Sequence, residues 1–330
     1  MAGGPVLVTG GTGFLGRAIV ERLVASGDPV KALARSEESA RALVALGAEP
    51  VRGDVLDLEA LEAALERCDV VYHAAGANAF CLHDPSPMFE VNVSGSQNVV
   101  RAAARARVRR VVYTSSAATL GESRGTTGSE TSPHRGWFLS NYERSKFEAE
   151  RAVFAAAQET GVEVVSVNPA SVQGPGRSTG SAKLLLDYLN GRLKAVVDSR
   201  LSLVDIADCT EGHLLAGSHG MPGERYVLSG ATLSVREGLA LVARLLGVDR
   251  PLRTLPPSLA IAVATAAEAL ARLRRTRPRI CRELARTLIH GHAYDGSKAT
   301  RALGLRYTPI EETLRRTVDW WVEQRLVSLS

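Results

Sequence analysis

Residues 9–16 read Thr9-Gly10-Gly11-Thr12-Gly13-Phe14-Leu15-Gly16, between an apolar run and an amphipathic helical pattern. Gly10 permits a tight turn, Gly13 lets the backbone approach a pyrophosphate, and Gly16 lets the helix pack closely on the strand. The N-terminus of the helix adds free N–H groups and a partial positive charge, which both favour phosphates. The stretch predicts a dinucleotide-binding turn, against the alternative of a glycine-rich turn without a ligand.

Short apolar segments alternate with helical patterns through the first half of the chain. The predicted strands cover residues 5–9, 29–34, 48–52, 70–74, 109–114 and 163–168. The predicted helices between them include residues 14–26, 58–67, 88–106 and 140–160. This alternation is typical of βαβ units with right-handed crossovers, so the predicted fold class is α/β with a Rossmann, doubly wound parallel sheet.

The alternation stops after Asn168, where a loop rich in Pro and Gly begins. Shorter elements follow, and further helices are predicted at 235–246, 258–273 and 310–327. We expect residues 1–168 to form the nucleotide-binding domain, with a later contribution near residues 201–216. Residues 169–330 are expected to form mainly a smaller, substrate-binding C-terminal lobe.

The composition is that of an ordinary globular protein. The 330 residues are 45% hydrophobic and 23% charged, which excludes a disordered or fibrous chain. The formal net charge is +5, but seven arginines lie within residues 272–286 beside one acid, and the rest of the chain has 33 basic and 34 acidic residues. Because this basic run has no interleaved aromatic residues, we expect no nucleic-acid partner.

The basic run allows three interpretations. It is a solvated helix face, a site for an anionic substrate tail, or a membrane-surface contact made by residues 258–286, since an apolar helix directly precedes it. No predicted helix is long and apolar enough to span a bilayer, and no signal peptide is visible. We therefore expect a cytoplasmic protein without a transmembrane segment.

Cysteine and histidine spacings predict neither a disulfide nor a metal site. The chain has four cysteines, none of them at metal-ligand spacing: Cys68, Cys81, Cys209 and Cys281. In a cytoplasmic protein we expect these thiols to be reduced and mostly buried. The pair His290-x-His292 has no third ligand within reach along the sequence, so we predict no metal.

Tyr142 and Lys146 lie four residues apart in a predicted helix and therefore share one face. A nearby ammonium stabilises a phenolate and lowers the pKa of a tyrosine toward neutrality, as proton-transfer catalysis requires. Tyr294 and Lys298 have the same spacing, but only the first pair follows a strand that ends in hydroxyl side chains, at Thr114-Ser115-Ser116. We interpret the first pair as catalytic and the second as structural.

Two charged residues follow the second and third predicted strands. Arg35 stands where a carboxylate usually binds the ribose hydroxyls of NAD, and its guanidinium suits the 2′-phosphate of NADP. We therefore predict NADP, with NAD as the alternative if Arg35 only stacks on adenine. Asp54 is placed either to accept a hydrogen bond from the adenine amino group or to cap a turn.

Several motifs occur along the chain in one order: TGGTGFLG at 9–16, HAAG at 73–76, Asn92 in NVSGSQN, TSSA at 114–117, YERSK at 142–146 and NPASVQGPG at 168–176. In this order they resemble the extended short-chain dehydrogenases/reductases of the NAD-dependent epimerase/dehydratase family. The sequence is most similar to their dihydroflavonol-reductase-like branch, which includes bacterial proteins described as hopanoid-associated sugar epimerases. The resemblance covers nearly the whole chain and implies Ser116, Tyr142 and Lys146 as the catalytic set, with Asn92 as a structural support.

The resemblance and the predicted strand ends together give the expected contacts. Those with the cofactor are Gly10, Thr12, Gly13, Phe14, Leu15, Gly16, Arg35, Asp54, Val55, Ala74, Ala75, Gly76, Asn92, Thr114, Tyr142, Lys146, Pro169, Ser171 and Val172. The expected substrate wall consists of Ala77, Phe80, Ala117, Trp137, Asn168 and Gln173. The resemblance also implies a homodimer formed through the helices at 88–106 and 140–160.

These observations predict an NADP(H)-dependent oxidoreductase that reduces a ketone or aldehyde of a small, partly apolar substrate, with Tyr142 as proton donor. One alternative is an NAD-dependent nucleotide-sugar epimerase or dehydratase. Arg35 disfavours it, and so does Leu201-Ser202, where the resemblance to such epimerases implies an Arg-Asp pair. A second alternative is a non-catalytic NADP-binding redox sensor, which the presence of both Tyr142 and Lys146 disfavours.

Overall fold

The computed structural model describes residues 4–327 and contains a seven-stranded parallel sheet. The strands within these residues are β1 (Val6–Thr9), β2 (Val30–Ala34), β3 (Glu49–Arg52), β4 (Val70–His73), β5 (Arg110–Thr114), β6 (Glu163–Pro169), β7 (Ser171–Gln173), β8 (Ala195–Val196), β9 (Arg200–Asp205), β10 (Arg225–Leu228), β11 (Ala231–Ser234) and β12 (Arg253–Thr254). The large sheet has the order β10-β6-β5-β4-β1-β2-β3, and all its neighbouring strands are parallel. The strand order reverses beside β1, as in a doubly wound fold, and the predicted fold class is confirmed.

Helices connect and cover the strands. They are α1 (Phe14–Ala25), α2 (Glu37–Ala45), α3 (Leu58–Ala64), α4 (Ser86–Phe89), α5 (Gly95–Arg105), α6 (Asn141–Thr160), α7 (Ser181–Leu189), α8 (Ile206–His219), α9 (Val235–Leu246), α10 (Pro257–Leu273), α11 (Arg282–His290), α12 (Ser297–Leu303) and α13 (Ile310–Glu323). A 3₁₀ turn covers Ala117–Leu120. The predicted helix bounds differ from these mainly at the C-terminal ends, where terminal turns fray.

The large sheet is buried on both faces except at its edge strand β3, whose residues are exposed or half-buried, and this burial explains why the other strands are almost continuously apolar. Alternate residues of β1 enter different cores: Val6 and Val8 pack with α1 and α8, whereas Leu7 packs with α3, α5 and α6. Full burial of a side chain of this size contributes roughly 1.5–3 kcal/mol. The two cores therefore stabilise the sheet, and the loop residues that follow the strands are held at fixed distances from one another.

The helix predicted at 88–106 is interrupted in the structure. Glu90–Ser94 forms one π-helical turn between α4 and α5. The prediction of one continuous helix is wrong here, because apolar spacing does not reveal a single inserted residue. π-turns inside helices are frequent at functional sites, and this one carries the buried Asn92.

The second half of the chain forms smaller elements and also returns to the large sheet. β11, β9 and β7 form a three-stranded sheet, while α8 packs on β5 and β6 and β10 pairs with β6. A third core joins α7, α9 and α13 around the fully buried Trp321. The indole of Trp321 donates to the Arg177 carbonyl at 2.7 Å, which ties α13 to the loop after β7.

Two of the four cysteines are not reduced. Cys81, in the loop after β4, forms a disulfide with Cys281 at the start of α11. The prediction of four free thiols is wrong at this pair, because 200 residues separate the two cysteines and only the folded chain brings them together. Cys68 and Cys209 are free and buried, as predicted, and burial raises the pKa of both thiols.

α10 lies on the outside of the C-terminal part of the chain. Of its 17 residues, only Ala264 and Ala271 are buried. Within residues 4–327 no helix, α10 included, is both long and apolar enough to cross a bilayer.

Candidate active site

The glycine turn lies at the carboxyl end of β1, against the end of β4. Gly10 has a φ of +73°, and a Cβ at this position would lie 2.6 Å from the backbone nitrogen of Ala75. A Cβ on Gly16 would lie 2.1 Å from the carbonyl oxygen of Gly10. Gly13 begins α1 without a side-chain cap, and a Cβ there would meet only the Gly10 carbonyl, at 3.3 Å. The turn therefore leaves the first N–H groups of α1 available to an anion.

His73, at the end of β4, joins three elements beneath this turn. Its Nδ1 lies 2.6 Å from Thr9 Oγ1 on β1, and its Nε2 lies 2.9 Å from Ser96 Oγ on α5. Burial, and to a lesser extent the charge of Lys146, lowers the pKa of His73 to about 3. The imidazole is therefore neutral at physiological pH and serves to fix the strand ends.

Asn92 supports the loop after β4. Its Oδ1 accepts a hydrogen bond from the Ala77 N–H at 2.7 Å, and its Nδ2 donates to the Ala77 carbonyl at 2.9 Å. The same Nδ2 donates to Ser145 Oγ at 2.9 Å. One side chain without exposed surface thus connects this loop to α6, and its amide is used in internal hydrogen bonds, so the expected cofactor contact of Asn92 is corrected.

Lys146 reaches the strand ends from α6. Its side chain is buried, and Nζ donates to the Thr114 carbonyl at 2.9 Å at the end of β5. The ammonium also lies 4.8 Å from the centre of the Tyr113 ring, within reach of a cation–π interaction. Burial lowers the pKa of Lys146 to about 8, against the raising effect of Glu150. Its charged form is therefore still the main one at neutral pH.

Tyr142 lies one helical turn before Lys146, close to Ser116. Burial raises the pKa of the Tyr142 phenol, while Ser116 and the charge of Arg177 act to lower it. Ser116 precedes the 3₁₀ turn, and its Oγ accepts from the Ala118 N–H at 3.2 Å. The fold thus brings the three residues of the predicted catalytic set to one edge of the sheet.

Arg177 is a member of this cluster that the sequence analysis did not single out. It lies in the loop after β7, with its guanidinium 5.1 Å from the centre of the Phe14 ring. Its charge acts on the Tyr142 phenol, and its Nε has no hydrogen-bond partner although it is buried. The signal in the sequence is a basic residue directly after Gly174-Pro175-Gly176, at the end of the last family motif.

The remaining predicted cofactor contacts lie around the same strand ends. They are Thr12, Leu15, Val55, Ala74, Gly76, Pro169, Ser171 and Val172. Arg35 follows β2 with a side chain that is 75% exposed, and its Nη1 lies 3.9 Å from Asp54 Oδ2. Asp54 caps a turn, because its Oδ1 accepts from the Leu56 N–H at 2.9 Å. Arg35 and Asp54 therefore form a solvent-exposed polar pair after the carboxyl ends of β2 and β3.

Two residues predicted for the substrate wall lie inside the protein. Asn168 has no exposed surface, and its Nδ2 donates to Glu150 Oε2 at 2.6 Å and to Thr119 Oγ1 at 3.0 Å. Gln173 is equally buried and donates to Ser181 Oγ at 2.7 Å. The wall prediction is corrected at both positions, since neither side chain has exposed surface to offer a substrate; the Oε1 of Gln173 is buried without a hydrogen-bond partner.

The other four wall residues differ in exposure. The Phe80 ring centre lies 6.0 Å from that of Tyr142, so Phe80 is next to the catalytic candidates. Ala77 is half-buried and Ala117 is buried. Trp137 is 53% exposed, and the guanidinium of Arg135 lies 5.0 Å from its ring centre.

His290 and His292 have a buried partner that their sequence spacing did not reveal. Glu122 Oε1 lies 2.6 Å from His292 Nδ1 and 3.6 Å from His290 Nε2. The sequence offers no third ligand within reach of the two histidines, and Glu122 lies 170 residues from His292, so only the fold brings it to them. Burial raises the pKa of Glu122, but the two histidines outweigh burial and hold it at about 2.

The geometry of this cluster is that of a hydrogen-bonded group. Two ligands on one tetrahedral zinc ion lie roughly 3.3 Å apart, since each Zn–N or Zn–O distance is about 2.0–2.1 Å. The 2.6 Å between Glu122 Oε1 and His292 Nδ1 is shorter and fits a direct hydrogen bond. The Tyr294 hydroxyl, 2.9 Å from His292 Nδ1, belongs to the same group.

Tyr294 and Lys298, which repeat the spacing of the catalytic pair, have structural contacts. Tyr294 is buried against Ala117, and Lys298 Nζ donates to Glu224 Oε2 at 2.5 Å and to the Arg225 carbonyl at 2.7 Å. These contacts hold the segment before α12 against β10. These contacts fit the structural interpretation of the pair, and Tyr294 also lies near enough to Tyr142 for that phenol to contribute to its raised pKa.

Comparisons with known proteins extend over most of the chain. The sequence model of the family described as NAD dependent epimerase/dehydratase matches residues 6–229. The chain is 33% identical to the sterol demethylase protein B of Methylococcus capsulatus, over 97% of this chain and 99% of that protein. It is 34% identical to the 4-hydroxy-2-methyl-3-oxo-4-farnesyl-3,4-dihydroquinoline-1-oxide ketoreductase of Stigmatella aurantiaca, over 80% of this chain and 79% of that one.

Solved structures share the architecture of both halves of the chain. The UDP-glucose 4-epimerase of Thermus thermophilus, solved in complex with NAD, superposes with a TM-score of 0.77 at 27% identity. The superposition covers 96% of this chain and 99% of that one. The large sheet and the C-terminal elements therefore occur together in proteins with this fold.

Proposed function

Because the chain belongs to the NAD dependent epimerase/dehydratase family, whose members include NAD(P)-dependent oxidoreductases, we propose that it reduces a ketone or aldehyde with NADP(H). The substrate is a small molecule with an apolar part. The proposal rests on the cluster of Tyr142, Ser116 and Lys146 beside the glycine turn. A phenol, a hydroxyl and a buried ammonium at one strand edge are the groups that proton transfer to a carbonyl oxygen requires.

The residues at the strand ends fit a dinucleotide. The glycines leave open the space that side chains at Gly10 and Gly16 would fill, and the first N–H groups of α1 have no side-chain partner. We propose that these N–H groups bind the pyrophosphate and that Lys146 binds the nicotinamide ribose. Arg35 and Asp54, which follow β2 and β3, would then bind the adenosine half of the dinucleotide.

The chemistry follows from the positions of three side chains. A bound nicotinamide supplies hydride to the substrate carbon. Tyr142 donates its phenolic proton to the carbonyl oxygen, and the Ser116 hydroxyl donates a hydrogen bond to the same oxygen. The ammonium of Lys146 stabilises the phenolate that remains. In alcohol oxidation the Tyr142 phenolate takes up the proton instead.

An apolar substrate part is supported by the surroundings of Tyr142. The Phe80 ring packs beside the Tyr142 phenol, and Trp137, five residues before Tyr142, has about half of its surface exposed. The names of two relatives contain a sterol and a farnesylated quinoline, which are large apolar groups. We therefore propose a carbonyl attached to an apolar ring or chain.

A nucleotide-sugar epimerase is the second candidate, and Arg177 favours it. Its half-buried guanidinium lies close enough to Tyr142 to act on the phenol pKa, so it is available to a phosphate of a substrate as well as to the cofactor. The similar fold of a UDP-glucose 4-epimerase supports the same candidate. Such an enzyme would oxidise and re-reduce its substrate on one retained NAD.

Nucleotide content distinguishes the two candidates. The purified protein is denatured, any released nucleotide is identified, and a separate sample is titrated with NADPH and NADH by fluorescence. We expect no retained equivalent of NAD, tighter binding of NADPH, and NADPH consumption with part of a panel of apolar ketones and aldehydes. One equivalent of retained NAD, together with interconversion of UDP-sugars, would replace the reductase proposal by the epimerase.

Arg35 is expected to select NADPH. Replacement of Arg35 by Ser removes the guanidinium, and a charge-assisted hydrogen bond to a phosphate is worth about 1.5–3 kcal/mol, so the Kd for NADPH is expected to rise about 10–100-fold. The Kd for NADH should change less than about threefold. Arg52→Ser is the matched control, since Arg52 is similarly exposed on the neighbouring strand end. Equal losses for both nucleotides in Arg35→Ser would assign Arg35 to adenine stacking.

Three further expectations remain proposals. We propose a homodimer through the outer faces of α5 and α6, a cytoplasmic location, which the Cys81–Cys281 disulfide disfavours because disulfides are rare in that compartment, and a division of labour between the nucleotide-binding residues 1–168 and the substrate-binding residues 169–330. Residues 169–330 also contribute to the nucleotide-binding part, because α8 packs on the large sheet and β10 pairs with β6 in it.

A further inference from the structure

The outer face of α10 carries an exposed apolar stripe. Leu259, Val263, Leu270 and Leu273 are between 46% and 83% exposed, and with Ala266 they follow one another every three or four residues along one face. Among residues 4–327, eleven large hydrophobic side chains are exposed, and six of them lie within residues 257–290. Apolar surface that is concentrated in this way marks an interaction site.

The same segment carries the net charge of the whole chain. Residues 257–290, the α10–α11 hairpin, contain seven arginines and two glutamates, which gives +5, and the remaining residues have 33 basic and 33 acidic side chains. All seven arginines are exposed. Within the part of the chain that the structure describes, Arg274, Arg275 and Arg279 form no ion pair with an acidic side chain. They are free to meet negative charge outside the protein.

The combination selects one class of partner. A nucleic acid would neutralise the arginines but would leave the apolar stripe exposed to water. The hairpin has no Phe, Tyr or Trp on which a base could stack, and its His290 is buried. A second copy of this face would oppose +5 with +5. An anionic lipid surface satisfies both features, because the stripe enters the acyl boundary while the arginines meet the headgroups.

The hairpin is attached to the active-site side of the protein. Glu283 Oε1 accepts from the Cys81 N–H at 2.5 Å, and Glu283 Oε2 accepts from the Asn141 N–H at 3.1 Å, one residue before Tyr142. The Cys81–Cys281 disulfide reinforces this attachment. A cleft of about 550 Å³ lies between the hairpin and the start of α6. A partner surface that binds the hairpin would therefore also lie beside the opening of this cleft.

We propose that the α10–α11 hairpin docks the protein on an anionic membrane surface, with the α10 stripe lying in the plane of the interface. This inference does not depend on the proposed function, because it concerns a surface and not the reaction. α10 is not long enough to span the bilayer, so the contact is peripheral and reversible.

Vesicle co-sedimentation of the purified full chain tests the proposal. The vesicles contain phosphatidylcholine alone or phosphatidylcholine with about one third phosphatidylglycerol, at low and at high salt. We expect binding to the anionic vesicles to be on the order of a hundredfold tighter than to the neutral ones, and to weaken in high salt. Failure of the parent protein to bind the anionic vesicles would overturn the proposal.

Two variants separate the two parts of the surface. One carries Arg274→Gln, Arg275→Gln and Arg279→Gln, and the other carries Val263→Ser and Leu270→Ser; all five side chains are exposed, so the fold should tolerate the changes. Each variant is expected to lose at least about tenfold in affinity for anionic vesicles.

The matched control neutralises three exposed arginines elsewhere, with Arg41→Gln, Arg67→Gln and Arg306→Gln. It removes the same net charge and is expected to bind like the parent protein. An equal loss in this control would reduce the effect to net charge and would overturn the docking surface. Vesicle-free dimerisation that the Val263→Ser and Leu270→Ser variant abolishes would assign the stripe to a second copy of the chain, and would overturn the proposal as well.

Discussion

Replacement of Tyr142 by Phe is expected to lower kcat by about a thousandfold with the carbonyl substrate that consumes NADPH fastest. The variant removes only the hydroxyl, and a positioned general acid contributes roughly 10²–10⁴ to the rate. The ring remains in contact with Phe80, so the fold and the Kd for NADPH should stay within about threefold of the parent values. Initial rates and a fluorescence titration with NADPH measure the two quantities on the same sample.

The chain provides its own control for this experiment. Tyr294 has a lysine four residues later, as Tyr142 does, but its hydroxyl contacts His292 and its ring packs on Ala117. Tyr294→Phe is therefore expected to retain most of the turnover and to lose only part of the stability. If Tyr142→Phe kept more than about a tenth of the parent kcat, or if both variants lost it equally, the assignment of Tyr142 as proton donor would be wrong.

Burial shifts the pKa values of Tyr142 and Lys146 in opposite directions. Burial raises the pKa of the Tyr142 phenol, which on its own would make the phenolate harder to form. Burial also lowers the pKa of Lys146 to about 8, so its charge is present at neutral pH but is lost as the pH rises above that value. The ammonium that we propose to stabilise the Tyr142 phenolate is therefore present at neutral pH.

Local patterns predicted the large sheet and the glycine turn. The six predicted strands appear within one residue of their predicted positions. For five of them the reason is that a parallel strand buried on both faces is apolar almost throughout, whereas β3 is an exposed edge strand. Gly10 and Gly16 were identified because the conformation and the close packing that they allow are properties of the turn itself. Such signals are contained in a few consecutive residues.

Contacts between distant segments were not predictable in the same way. Cys81 and Cys281 are joined only because α11 begins over the loop after β4, and the cysteine spacing carries no trace of this. Glu122 meets His292 for a similar reason. Asn168 lies near the end of β6, as predicted. Its amide contacts Glu150 and not a substrate, and the sequence did not show that this carboxylate from α6 lies beside it.

Motif positions predicted most of the residues that meet at the candidate site, but they did not predict Arg177. Tyr142, Ser116 and Lys146 belong to motifs with known spacing and come together at the ends of β5 and α6. Arg177 belongs to a loop whose course depends on the bond from Trp321 near the C-terminus. A residue positioned by such a distant contact has no local signature beyond its charge.

The two glycines at the start of α1 are expected to differ sharply on replacement by Ala. At Gly16 the new Cβ would lie 2.1 Å from the Gly10 oxygen and 2.7 Å from the Gly10 carbonyl carbon, both backbone atoms that cannot turn away. We expect Gly16→Ala to lower the free energy of unfolding of the cofactor-free protein by roughly 3 kcal/mol, as overpacking of backbone does. Urea unfolding measures this loss without any ligand.

Gly13→Ala is the matched variant, and its expected result is the opposite. The backbone at Gly13 has a φ of −76°, which alanine adopts readily, and the new Cβ would contact only the Gly10 oxygen, at 3.3 Å. Stability should therefore change by less than about 1 kcal/mol. The methyl group would stand where the backbone is proposed to approach the pyrophosphate, so the Kd for NADPH should rise at least about tenfold.

The pair of variants separates packing from binding at one turn. Loss of stability in Gly16→Ala with loss of affinity in Gly13→Ala is expected if Gly16 serves the contact of helix and strand while Gly13 serves the ligand. Unchanged NADPH affinity in a folded Gly13→Ala would place the pyrophosphate elsewhere and would leave the glycine turn a purely structural one. Gly13 is the N-cap of α1 and Gly16 lies within the helix, so helix propensity alone would stabilise Gly16→Ala and does not explain the loss expected there.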